Sequence, residues 1–98
     1  MVKIKWSLQS VEDLENIYEY ISKDSPNYAK IFILKIMKII SEIPEHPRIG
    51  RIVPEFNEKN LRERIFKSFR IVYRIKNKKI EIVTIIHSTR TLKVKEIS

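Results

Sequence analysis

FRIVYRIKNKKIEIVTIIH, residues 69–87, is the stretch that decides the fold. Phe69, Ile71, Tyr73 and Ile75 alternate with Arg70, Val72 and Arg74. Beyond Asn77-Lys78, Ile80, Ile82, Thr84 and Ile86 alternate with Glu81, Val83, Ile85 and His87. A period of two marks half-buried strands, and two residues between them make a hairpin turn, although Asn-Lys suits that turn less well than Asn-Gly. The turn sets Ile75 opposite Ile80 and Arg74 opposite Glu81, so the apolar faces meet in register. Carried along the strands, the same register places Arg70 opposite Ile85 and one diagonal step from His87. The outer face then collects Arg70, Val72, Arg74, Glu81, Val83, Ile85 and His87.

The rest of the chain supplies what this hairpin packs against. Leu61 to Phe66 reads as a preceding strand, and Pro44, Pro47, Gly50 and Pro54 mark an irregular connector before it. Leu8, Val11, Leu14, Ile17, Tyr18 and Ile21 recur at spacings of three and four, the stripe of an amphipathic helix. Ser7 or Ser10 opens that helix, and Glu12, Asp13 and Glu15 sit in its early turns. Asp24-Ser25-Pro26 ends it and starts a second helix, expected from Pro26 to Ile43. Ala29, Phe32, Ile33, Ile36, Ile40 and Ile43 form the core face of this second helix. Ile31, Leu34 and Met37 spill beyond it, so either the sheet wraps the helix or this surface awaits a partner. Val2, Ile4 and Trp6 alternate with Lys3 and Lys5 as an N-terminal strand. The sum is a two-layer α+β domain spanning residues 1–98: an N-terminal strand and a helical hairpin packed on a small, mostly antiparallel sheet. Leu92 to Ser98 could be a strand, a short helix or a loose tail.

Composition removes several classes of function. The 98 residues contain no cysteine, which excludes disulfides, thiolate metal sites and cysteine nucleophiles. One glycine, Gly50, cannot build a glycine-rich phosphate loop. Two histidines at His46 and His87 make a zinc site improbable, and neither a metal nor a cofactor is expected. No apolar run is long enough for a membrane span or a signal peptide, so a cytoplasmic location is expected. The net charge of +8 lies wholly in the second half, where residues 50–98 hold thirteen basic and five acidic side chains. Residues 1–49 hold seven of each. A cationic stripe on a rigid sheet suits an anionic partner, nucleic acid first among them.

Arg70, His87 and Arg90 are the candidate catalytic residues, with Arg62, Arg64 and Arg74 as candidate nucleic-acid or target contacts. Guanidinium forks bind phosphate oxygens bidentately, and an imidazole near neutrality can move a proton. Each has a structural alternative. Arg74 is the natural cross-strand partner of Glu81, Arg62 and Arg64 suit a solvated strand, and His87 could cap a sheet edge. Arg70 is the hardest to explain structurally, because no carboxylate stands opposite it in the proposed hairpin.

These residues, taken in order, resemble the ParE/RelE superfamily of toxins from type II toxin–antitoxin modules. Trp6, Asp13-Leu14 with Ile17, Tyr20-Ile21 and Asp24-Ser25-Pro26 match its N-terminal half. Gly50-Arg51-Ile52-Val53-Pro54-Glu55, Arg62-Glu63, the strand Phe69 to Ile75, and Ile86-His87-Ser88-Thr89-Arg90 continue the match to about residue 92. The resemblance implies a growth-inhibiting toxin of a plasmid-stabilisation type of system. A cognate antitoxin would neutralise it, often by laying a helix along the helical hairpin. The target it implies is DNA gyrase, as for ParE, or ribosome-bound mRNA, as for RelE. In the second case the chain would be a metal-independent endoribonuclease, with Arg70 and Arg90 on the scissile phosphate and His87 moving the proton. The connector and the His-x-x-Arg ending are more similar to ParE. After Ile75 the chain lacks the C-terminal tyrosine of several RelE-like members, and Arg62-Glu63-Arg64 replaces their lysine pair. The alternation also turns Glu63, a candidate base, away from Arg62 and Arg64. A decayed, non-toxic module that still binds an antitoxin or nucleic acid is the alternative.

Overall fold

In the computed structural model, which describes residues 2–97, the chain runs β1 (Lys3–Trp6), α1 (Leu8–Ser22), α2 (Pro26–Ser41) and β2 (Arg51–Ile52). It continues through β3 (Leu61–Phe66), β4 (Phe69–Lys76), β5 (Lys79–His87) and α3 (Val94–Ile97). The sheet has five strands in the order β1-β5-β4-β3-β2, with only the β1–β5 pair parallel. The α+β class and the mostly antiparallel sheet agree with the sequence. Among the described residues, no helix is long and apolar enough to cross a membrane.

Both helices start where hydroxyl caps allow. Ser7 Oγ accepts the Ser10 backbone N–H at 3.0 Å and donates to the Val83 carbonyl at 2.7 Å, so one side chain both caps α1 and fastens it to β5. Ser25 Oγ accepts the Tyr28 N–H at 3.1 Å, with Pro26 at the first helical position of α2. The acidic residues of α1 lie past its first turn, and α2 stops at Ser41, two residues short of the expected Ile43. Ile43 is nonetheless fully buried.

On the helix-facing side, Ile17, Phe32, Ile36 and Ile40 pack against Ile71, Tyr73, Ile80, Ile82 and Ile85. Each such side chain contributes roughly 1.5–3 kcal/mol by leaving water. Ile31, Leu34 and Met37 remain exposed, so the sheet does not wrap α2. The opposite sheet face is not left bare either. Val72, Val83 and Ile86 form a second apolar cluster with Val53, Leu61 and Leu92, flanked by Phe56 and Ile97. The C-terminal segment is therefore a strap across the outer face, ending in the short α3.

The hairpin register holds from the turn to Tyr73, with Ile75 opposite Ile80 and Arg74 opposite Glu81. Beyond it the expectation fails. Tyr73 pairs with Ile82 but Val72 pairs with Thr84, leaving Val83 as the extra residue of a β-bulge. Arg70 therefore stands opposite Ile86, not Ile85, and Phe69 stands opposite His87. The cause lies at the strand's far edge. β1 stops pairing at Ile82, and the β5 groups beyond it need other partners. The Asp13 carboxylate of α1 supplies them, accepting the Thr84 hydroxyl and the Ile85 N–H.

Candidate functional site

Arg70 lies at the centre of a charged network on the outer face, only 5% exposed. Its Nε donates to Glu63 Oε1 at 2.6 Å, and its two terminal nitrogens grip both oxygens of Glu55 at 2.7 Å. Nη1 also donates to the Arg90 carbonyl at 3.0 Å. Glu63 is 1% exposed and comes from β3, one diagonal step away, where Ile65 pairs with Arg70 and Glu63 with Val72. Its second oxygen accepts Arg51 Nε from β2 at 2.6 Å. Glu55 comes from the connector, and its Oε2 also accepts the Leu92 N–H at 2.8 Å.

The electrostatics follow from these contacts. Hydrogen bonding to Arg70 is the main influence on the Glu55 carboxyl and, aided by the Leu92 N–H, holds it down at about 2. The same contact holds Arg70 even more firmly protonated. The Glu55 carboxylate is not a competent base near neutrality, and the fork of Arg70 is occupied on three sides.

Beside this network lies a cleft of about 320 Å³, where Arg51, Glu55, Arg70 and Arg90 meet the apolar Pro54 and Ile65. Arg90 is half exposed and pairs with Glu96 of α3 at 2.9 Å. His87 does not share this face. It stacks edge-on against Phe69 with ring centroids 5.6 Å apart, and its Nδ1 lies 2.8 Å from Thr89 Oγ1. The bulge thus corrects the expected juxtaposition: Arg70 and His87 occupy opposite faces of the sheet.

The remaining sequence candidates have local partners. Arg62 donates to the carbonyls of Gly50 at 2.9 Å and Lys59 at 3.0 Å, fastening the connector. Arg64 reaches Glu42 at 2.6 Å, just beyond the last turn of α2. Arg74 stands opposite Glu81 as expected, yet its Nη2 donates to the Ile97 carbonyl, and Lys76 makes the ion pair with Glu81 at 3.3 Å. The connector is also held by Tyr73, whose hydroxyl donates to the Pro47 carbonyl at 2.6 Å and accepts the Gly50 N–H at 2.9 Å. Gly50 is required there by space. A Cβ would lie 2.6 Å from the Glu63 carbonyl oxygen and 2.8 Å from the Tyr73 hydroxyl.

Sequence reasoning missed Glu55 and Arg51 as members of the network. A signal existed: a mid-strand arginine destined for burial needs a carboxylate, and few are available in this basic half. Among the described residues, no group of three or more His, Asp or Glu side chains could hold a metal ion.

On the helix side, His87, Phe69, Phe32, Tyr28 and Tyr20 line a groove of about 610 Å³ between the helical hairpin and the β3–β4 turn. Tyr20 and Tyr28 are exposed, so the groove offers aromatic surface to a partner.

Comparisons with known proteins agree with this architecture. The family described as "ParE toxin of type II toxin-antitoxin system, parDE" matches residues 4–92. The toxin candidate Y4kP of Sinorhizobium fredii is 31% identical over 88 residues, which cover 88% of each chain. A solved chain of the chromosomal ParDE TA system from P. aeruginosa superposes with a TM-score of 0.74 at 23% identity, covering 89% of this chain and 96% of that one. That last likeness concerns the fold. On the family match and the curated relative, the chain belongs to the ParE toxin family of type II toxin–antitoxin systems.

Proposed function

We propose that this chain inhibits growth by poisoning DNA gyrase, without cutting RNA, and that a cognate antitoxin neutralises it. The observation that carries the reading is the placement of Arg70. Its donors face Glu55, Glu63 and the Arg90 carbonyl, while His87 stands on the other side of the sheet. A phosphoryl-transfer site needs a cation and a proton carrier converging on one phosphate, and here they diverge. The ParE character of the chain supports gyrase over the ribosome. The groove beside Tyr20 and Tyr28, together with exposed Ile31, Leu34 and Met37, suits an amphipathic antitoxin segment.

The test is induction of the protein in bacteria, with gyrase–DNA complexes trapped by detergent and transcripts mapped by primer extension. Accumulated gyrase–DNA cleavage complexes with intact mRNA are expected. Discrete mRNA cuts without gyrase complexes would overturn the reading. Normal growth with retained antitoxin binding would identify a decayed module instead.

A further inference from the structure

Among the described residues, four of the seven arginines form ion pairs, whereas of the thirteen lysines only Lys76 does. Lys3 of β1, Lys79 of β5 and Lys76 of β4 stand opposite one another across three adjacent strands. Their neighbours Ile4, Ile80 and Ile75 belong to the helix-side core, so the three lysines share the outer face. The next outer row holds Lys5, Glu81 and Arg74. Within these two rows, five cations meet one carboxylate, and that carboxylate is held by Lys76. No ion pair involves Lys3, Lys5 or Lys79 among the described residues. Lys79 is half buried all the same.

Like charges directly opposite in a sheet destabilise it. Lysine on an edge strand guards against unwanted strand pairing, which accounts for Lys3 and Lys5 on β1. It does not account for Lys76 and Lys79, which lie on inner strands. We propose that the Lys3–Lys79–Lys76 row binds the phosphate backbone of duplex DNA.

Three observations select this polyanion over others. The two rows contain no apolar anchor, and a protein partner of measurable affinity needs one at its centre. The exposed rings Tyr20 and Tyr28 lie in the groove on the helix side, so single-stranded bases would find nothing to stack on beside the lysines. Strands about 4.8 Å apart set the row across roughly 10 Å of rigid sheet, and long lysine stems can reach several phosphates from there. This contact would be independent of sequence, as backbone contacts are. It stands apart from the gyrase reading: duplex binding without gyrase poisoning would overturn that reading alone.

The experiment is fluorescence anisotropy of a labelled, mixed-sequence DNA duplex titrated with the purified protein at several salt concentrations. If three phosphates are neutralised, log K against log salt should have a slope of about −2.7, equivalent to about a 40-fold loss between 50 and 200 mM salt. The variant Lys3→Gln/Lys76→Gln/Lys79→Gln should lose most of that slope. The control Lys30→Gln/Lys35→Gln/Lys38→Gln removes the same charge from exposed positions of α2 and should retain it. Replacing the row by arginine should preserve binding. Should the row variant unfold, Lys79→Gln alone should lower the slope by about one. Absence of duplex binding at 50 mM salt, equal losses in the two glutamine variants, or tighter binding of polyglutamate than of duplex would each overturn the proposal.

Discussion

Replacing Arg70 by alanine should cost this protein much of its stability. The substitution strips Glu55 of both terminal nitrogens and Glu63 of one of its two partners. Removing one member of a buried ion pair costs about 3–5 kcal/mol, because the other charge is left desolvated. Here Glu63 keeps Arg51 and Glu55 keeps the Leu92 N–H, which puts the expected loss near the lower end, about 3 kcal/mol. A domain of this length has about 5–15 kcal/mol in total. Urea unfolding followed by circular dichroism should therefore show a midpoint lower by about 3 M, taking about 1 kcal/mol per molar for a small domain. A double-mutant cycle with Glu55→Gln should return a coupling of about 1–3 kcal/mol. The gap between wild type and Arg70→Ala should narrow in acid, since the Glu55 carboxyl of the variant returns toward its ordinary pKa of 4.5. A loss under about 1 kcal/mol, or no coupling, would show that Arg70 is available for a ligand and would refute the structural assignment.

Three further outcomes follow from the same contacts. Because the Glu55 carboxyl is depressed to about 2 from 4.5, its stabilisation is complete above about pH 4.5 and is lost as pH falls toward 2. After allowance for solvent screening this amounts to about 1–2 kcal/mol, and Glu55→Gln should flatten that part of the acid-unfolding curve. Gly50→Ala should lower the melting temperature by at least about 5 °C, since its Cβ would press on the Glu63 carbonyl and the Tyr73 hydroxyl, at a cost of about 1–3 kcal/mol. An unchanged melt would mean the connector shifts freely. Leu92→Ala should cost about 2–4 kcal/mol in denaturant unfolding, because this side chain is 2% exposed in the outer cluster. A neutral result would mean that the strap does not contribute to the fold.

The alternation of residues 69–75 and 80–82 and the helical stripes of the first half were sufficient to read the layers and the hairpin turn. The bulge was not legible, since no glycine or proline marks it. It arises from two distant facts, the end of β1 opposite Ile82 and the position of Asp13 on α1. The parallel seat of β1 was likewise hidden, because alternation gives a strand its faces but not its neighbour. Arg70 stands out in the sequence for want of a carboxylate opposite it in the hairpin, yet the structure pairs it with Glu55 and Glu63. Its partners were not found, because one comes from the neighbouring strand and the other from the irregular connector. Glu63 does point away from Arg62 and Arg64, as the alternation indicates, and that direction is the one Arg70 takes. The strap was undecided because its burial depends on Val53, Leu61 and Val83 collecting at one place.

The unpaired residue in β5 works as a selector for everything downstream of it. Were Val83 drawn into the ladder opposite Val72, every later pair would slip by one, sending Ile85 outward and Ile86 inward, and the imidazole would emerge among the guanidiniums. A sheet of this kind can therefore exchange the chemistry presented at its end by a one-residue slip in pairing, with no functional side chain replaced.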